Sequence, residues 1–212
     1  ATPVVAFLTA RRVFGYDKVN SAALAAHYGS VSAVTFIAAC SFAEAAKSPA
    51  PGFMPALVAI LEIPAIIVGL SLARRPGGEP LGTALRQLVT SKSIFLLLGG
   101  LFIGALSTKA SLSQVQPLFG DLFKGALVIF MLDMGMIASA RFKEVSGNLG
   151  QLIGFGIAVP LVNGLIGTFL GLKVGLPFGG AGVLGSMAAS ASYIAAPAAV
   201  RSAMPNANPG IY

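Results

Sequence analysis

The chain has 212 residues, of which 56% are hydrophobic and only 10% charged, and its 14 lysines and arginines against 7 acidic residues give a formal net charge of +7. Soluble domains run near 45–50% apolar and about 25% charged, so the composition excludes a water-soluble domain. One cysteine, Cys40, excludes an internal disulfide framework, and one histidine, His27, excludes a Cys/His metal cluster. The basic residues lie in short gaps between apolar runs rather than on one polar face, which reads as membrane topology and not as a nucleic-acid surface.

In chain order, residues 3–10 are apolar and end at Arg11, Arg12 and Lys18, like the tail of a membrane span. The run over 20–46 is long enough to cross, since about 30 Å of hydrocarbon takes roughly 20 residues at about 1.5 Å each. Its centre, Gly29-Ser30-Val31-Ser32-Ala33, is nevertheless small and polar. A proline-rich turn over 47–52 leads into a span over 53–73 that contains Glu62 and Pro64, followed by a long polar connection with Arg74, Arg75, Arg86 and Lys92. Further spans are expected at about 93–107, 122–140 and 149–172. The last run, 180–204, breaks at Ala189-Ser190-Ala191-Ser192-Tyr193, with Pro197 just beyond. Since 190 − 30 and 192 − 32 are both 160, the two breaks match at a constant offset. The chain begins at Ala1 without a methionine or a signal-peptide pattern and reads as part of a longer membrane protein.

Each half of a broken run is too short to span alone, so both breaks are expected near the membrane midplane. Pro197 has no N–H, which predicts that the Tyr193 carbonyl, four residues earlier, loses its helical partner. Secondary transporters build sites from such discontinuous helices, with half-helix N-termini facing anions and unwound carbonyls facing cations. Two plainer readings compete: small residues that only let helices pack closely, and serines that bond back to their own helix. With the long basic connection placed in the cytoplasm, Arg11, Arg12, Lys18, Arg74, Arg75, Arg86, Lys92, Arg141, Lys143 and Arg201 fall inside, and Lys47, Lys109, Lys124 and Lys173 outside. That alternation makes the two broken helices antiparallel, as an inverted repeat requires.

Ser30, Ser32, Ser190 and Ser192, with Gly29 and Ala189, are the candidate substrate site, because hydroxyls and exposed N–H groups can wrap a small monovalent anion without a fixed charge. Glu62 and Asp133 are acidic residues in apolar runs, each needing a partner or a polar cavity. His27, one turn before the first break, is a candidate pH sensor or a histidine bonded to a carbonyl, and Asn163 reads as a helix–helix hydrogen bond. An intramembrane enzyme fits poorly, since no base faces a nucleophile from another helix and no acid dyad is recognisable.

Three stretches, SASYIAAPAAVRSAMPNANP at 190–209, LFKGALVIFMLDMGM at 122–136 and EIPAIIVG at 62–69, resemble the sodium-dependent bicarbonate transporters of cyanobacterial type. The resemblance implies an all-α membrane protein of ten helices in two inverted five-helix repeats, with broken crossing helices four and nine. The chain would hold the end of helix three through helix nine. Residues 1–75 would end the first repeat as core, 76–92 would be a cytoplasmic linker, 93–145 gate-domain helices, and 146–212 core helices of the second repeat. It further implies an inner-membrane importer of bicarbonate coupled to sodium, a homotrimer in lipid, and a PII-like regulatory protein on the cytoplasmic face. Glu62 stands where the family has an acidic residue before IPA, and Tyr193 stands where its second break has an aspartate, so Tyr193, Glu62 and Ser192 are the candidate sodium ligands. The alternatives are a carrier of another small anion or organic acid, coupled to protons, and a non-transporting scaffold or truncated product.

Overall fold

The computed structural model describes residues 1–73, 82, 86, 90, 92–141, 149–193 and 195–212. Within them the chain is all-α: α1 (Thr2–Arg12), α2 (Lys18–Gly29), α3 (Ala33–Ala45), α4 (Met54–Ala73), α5 (Lys92–Leu106), α6 (Lys109–Gln116), a π turn (Pro117–Asp121), α7 (Phe123–Arg141), α8 (Leu149–Lys173), α9 (Phe178–Ala189) and α10 (Ala195–Ala203). Among the described residues, four stretches are long and apolar enough to cross a membrane: Lys18–Ala45, Met54–Ala73, Ala110–Asp133 and Leu149–Lys173. Both expected breaks are present, α2 stopping at Gly29 before α3 starts at Ala33, and α9 stopping at Ala189 before α10 starts at Ala195.

The α2 helix starts where Asp17 accepts hydrogen bonds from the N–H groups of Val19 and Asn20, at 2.8 and 3.0 Å, an N-cap that satisfies two of the first-turn donors. Residues 21–27 are all buried, so α2 is enclosed on every side, as a helix without a polar face must be. Small residues make that enclosure possible. A Cβ on Gly69 of α4 would sit 2.6 Å from the Ala26 backbone, and one on Gly29 would sit 2.6 Å from Pro3 of α1. Where real Cβ contacts of that kind do not occur, the glycine sets how closely two backbones approach.

The second group is built the same way. Phe155, Val159, Asn163, Gly167 and Gly171 are the buried residues of α8, and their spacing of four puts them on one helix face. This face packs along α9, which returns through a turn at Gly175 whose φ of +84° favours glycine. Gly167 lies against Ala188, Gly171 against Ala181, and Gly185 against Thr168 and the Gly164 carbonyl. Close van der Waals contact between small residues joins these two helices.

The two broken helices cross antiparallel. Near one end the Asn208 N–H donates to Asn20 Oδ1 at 2.8 Å, at the middle Ser32 N–H meets Ser190, and near the other end the Gly179 N–H donates to Ser48 Oγ at 2.9 Å. Arg11, Arg12, Lys18 and Arg201 thus gather at one end, while Lys47 and Lys173 stand at the other, in line with the expected arginine side. The connection over 76–92 and Lys143 lie outside the described residues apart from Gly82, Arg86, Thr90 and Lys92, so the rest of the scheme is a matter for labelling. In a Cys40→Ser background, cysteines at Val13 and Val174, 73% and 75% exposed, should react from the cytoplasmic and the external side respectively. Labelling of both from one side would overturn the antiparallel arrangement in the membrane.

One expectation needs correcting. Pro197 does not break a continuous helix: it is the third residue of α10, in the first turn, where its missing N–H would have had no helical partner. The Tyr193 carbonyl is outside both helices because the chain is already unwound there. The segment between the expected spans at 93–107 and 122–140, to which no element was assigned, carries α6 and the π turn, so the chain is helical almost without interruption from Lys109 to Arg141. The α5 helix coincides with the span expected at 93–107.

Candidate functional site

The crossing point brings all four predicted serines together. The Ser32 N–H donates to Ser190 Oγ at 2.9 Å, and the Ser192 N–H donates to the His27 carbonyl at 2.9 Å, so each break is tied to the other through backbone groups that the unwinding released. Ser190 and Ser192 are 8% and 2% exposed, and Ser30 and Ser32 are 1% and 4%. Burial of these hydroxyls within an apolar bundle is tolerable because each has a hydrogen-bond partner.

Each hydroxyl has a defined task. Ser190 Oγ donates back to the Met187 carbonyl at 2.7 Å, while Ser32 Oγ accepts from the Thr35 N–H at 3.2 Å as the N-cap of α3. Ser192 Oγ accepts from the Ala196 N–H at 3.3 Å, serving the first turn of α10, and Ser30 Oγ donates to the Glu62 carbonyl at 3.4 Å. The reading in which serines bond their own helix is therefore correct for Ser190 and for the two caps. It does not compete with the site reading, because these bonds hold the oxygens at the crossing.

The helix ends sort by charge. The α3 and α10 N-termini open at the breaks, each equivalent to about +0.5 charge, and the α2 and α9 C-termini end there with about −0.5 each. On α2 the terminal carbonyls are taken: His27 by Ser30 and Ser192, Tyr28 by Asn163 Nδ2 at 3.4 Å, and Gly29 by Thr2 Oγ1 at 3.1 Å.

Gly29 and Ala189 are accounted for by packing, Gly29 on Pro3 and Ala189 on Gly164 of α8, where a Cβ would stand 3.2 Å from the alanine methyl. Glu62 is 8% exposed, one helix away from the first break and linked to it through Ser30. Asp133 is exposed on α7 and joins neither break.

Tyr193 carries contacts that sequence reasoning missed. Its hydroxyl accepts from Ser32 Oγ at 3.4 Å, and its ring lies 5.4 Å from that of Phe130 on α7, the planes at 31°. It thus links both breaks to α7. Phe130 is one apolar residue among many on α7, and nothing in its sequence surroundings marks it. His27 Nδ1 donates to the Ala23 carbonyl at 2.8 Å, and its ring lies 4.9 Å from that of Tyr212, the bonded-histidine alternative of the sequence reading.

Antiparallel broken helices that meet inside a bundle of apolar helices are the arrangement from which secondary transporters build their sites, in a multi-pass membrane protein. The chain belongs to the Na+-dependent bicarbonate transporter superfamily, whose family model matches residues 1–212. Comparison with curated proteins finds no match.

Proposed function

We propose that the protein imports bicarbonate by symport with sodium across the inner membrane, with the crossing of the two broken helices as its substrate site. The observation that carries this reading is the pairing of Ser32 with Ser190, which brings two half-helix N-termini and four serines to one buried place. A monovalent anion there meets about one unit of positive charge from the two helix ends and hydroxyls that exchange their internal bonds for bonds to its oxygens. Full desolvation of a doubly charged anion would demand more compensation than two helix ends supply, which favours a single charge.

The coupling cation belongs at the unwound stretch between α9 and α10, with Ser192, the Tyr193 carbonyl and Glu62 as its oxygen ligands. The family membership supports a sodium ion in this role. A homotrimer in lipid and a PII-like partner on the cytoplasmic face complete the proposal. In proteoliposomes of the full-length protein, uptake of labelled bicarbonate should be blocked by excess unlabelled bicarbonate and much less by sulfate or a dicarboxylate. Stronger inhibition by an organic acid than by bicarbonate itself would identify the protein as a carrier of that acid.

A further inference from the structure

Asn163 stands at the middle of the buried face of α8, 1% exposed, between Val159 and Gly167. Its Nδ2 donates to the Tyr28 carbonyl, in the last turn of α2, at 3.4 Å. The next residue, Gly164, packs on Ala189, the last residue of α9. This turn of α8 therefore reaches the C-terminal ends of both half-helices, α2 through the Asn163 side chain and α9 through Gly164, where the two dipoles put their negative charge. Its other polar atom, Oδ1, is buried without a hydrogen-bond partner among the described residues. A buried amide oxygen left unpaired inside an apolar bundle costs free energy and calls for a ligand.

The α2 carbonyls at this place are already satisfied, as described above. The terminal carbonyls of α9, Ala188 and Ala189, lie past the last intrahelical bond and have no partner within their own helix. The turn of α8 that carries the unpaired amide oxygen, packed at the end of the helix that carries these carbonyls, is a source of hard oxygen donors. It suits a monovalent cation, whose dehydration such dipoles can offset, and it repels an anion.

We propose that Asn163 Oδ1 is a ligand of the coupling cation, which sits between α8 and the C-terminal ends of α2 and α9. The proposal rests on the sodium-coupled reading above and adds to it a residue from a third helix. It also separates the two ions in space: the anion at the positive helix ends, the cation at the negative ones, so that each lowers the cost of burying the other.

The competing role for Asn163 is a helix clamp acting through Nδ2 alone, and one substitution separates the two. Asn163→Asp keeps an oxygen and loses the Nδ2 donor, whereas Asn163→Ala loses both. Two measurements on the full-length protein are needed: the half-saturating sodium concentration for bicarbonate uptake, and the rise in thermal midpoint produced by sodium chloride over choline chloride, which reads binding without transport. The expected result is a rise in half-saturating sodium of about tenfold or more for Asn163→Ala with loss of the sodium-specific thermal shift. Asn163→Asp should keep the shift and match or lower the wild-type half-saturating concentration. Equal damage from both substitutions, or a wild-type sodium shift retained in Asn163→Ala, would overturn the proposal while leaving sodium coupling intact. A wild-type protein with neither a sodium-specific shift nor sodium-dependent uptake would overturn the coupling itself, and the proposal with it.

Discussion

Ser190→Leu reduces bicarbonate uptake to about one hundredth of wild type or less, with normal expression and membrane insertion, while Ser186→Leu, one turn earlier on the same helix, keeps most of it; this is the largest effect the crossing predicts. Ser190 is 8% exposed, and its oxygen both receives the Ser32 N–H and closes the end of α9 on Met187. Leucine removes both bonds and pushes a branched side chain between the two breaks, where the N–H of Ser32 is left buried without a partner. Displacement of a functional group by about 1 Å can cost on the order of 100-fold. Ser186 bonds only to the Gly182 carbonyl of its own helix, away from the crossing, so the same substitution there changes a surface. Uptake of labelled bicarbonate, normalised to protein in the membrane, checks the pair. Equal loss at both positions would mean that α9 tolerates no bulk anywhere and that Ser190 has no special part.

Tyr193→Asp should lower the half-saturating sodium concentration five- to a hundredfold. The residue lies in the unwound stretch between α9 and α10, beside Ser192 and within reach of Ser32. A carboxylate there adds a charged oxygen to the Ser192, Tyr193 carbonyl and Glu62 oxygens of the proposed site, and charge-assisted interactions are worth about 1–3 kcal/mol, with about 1.4 kcal/mol for each tenfold. The substitution also removes the ring that leans on Phe130, so Tyr193→Phe serves as the comparison, keeping the stack and losing only the hydroxyl. Uptake measured against sodium at fixed pH in the three proteins decides it. An unchanged sodium dependence in Tyr193→Asp would remove position 193 from the cation site.

How far the sequence reached can be judged at particular residues. The two breaks were legible because a run of small and hydroxyl residues in the middle of a span-length apolar stretch has no use in a continuous helix, and because it occurs twice at the same offset. The antiparallel crossing was legible from the side on which the arginines fall. The mechanism of the second break was not: Pro197 looked like the cause, yet with α10 starting at Ala195 the proline belongs to a first turn, and only coordinates tell a helix-breaking proline from a helix-starting one. Asn163 was read as a helix–helix hydrogen bond, which its Nδ2 makes, but the unpaired Oδ1 depends on what surrounds it and no sequence pattern reports that. Phe130 was out of reach for the same reason, since a phenylalanine in an apolar helix carries no sign of which aromatic it will meet. Gly29 and Ala189 were grouped with the serines by adjacency alone, and their neighbours Pro3 and Gly164, distant in sequence, explain their size.

The claim that a sodium gradient drives bicarbonate through this crossing is tested most directly by accumulation. Full-length protein in sealed proteoliposomes is given labelled bicarbonate at fixed pH, with an inward sodium gradient, with sodium equal on both sides, or with choline in its place. The account predicts accumulation above the external concentration only under the sodium gradient, collapsing when a sodium ionophore is added. Equal accumulation in choline, or uptake that follows an imposed proton gradient and ignores sodium, would contradict it.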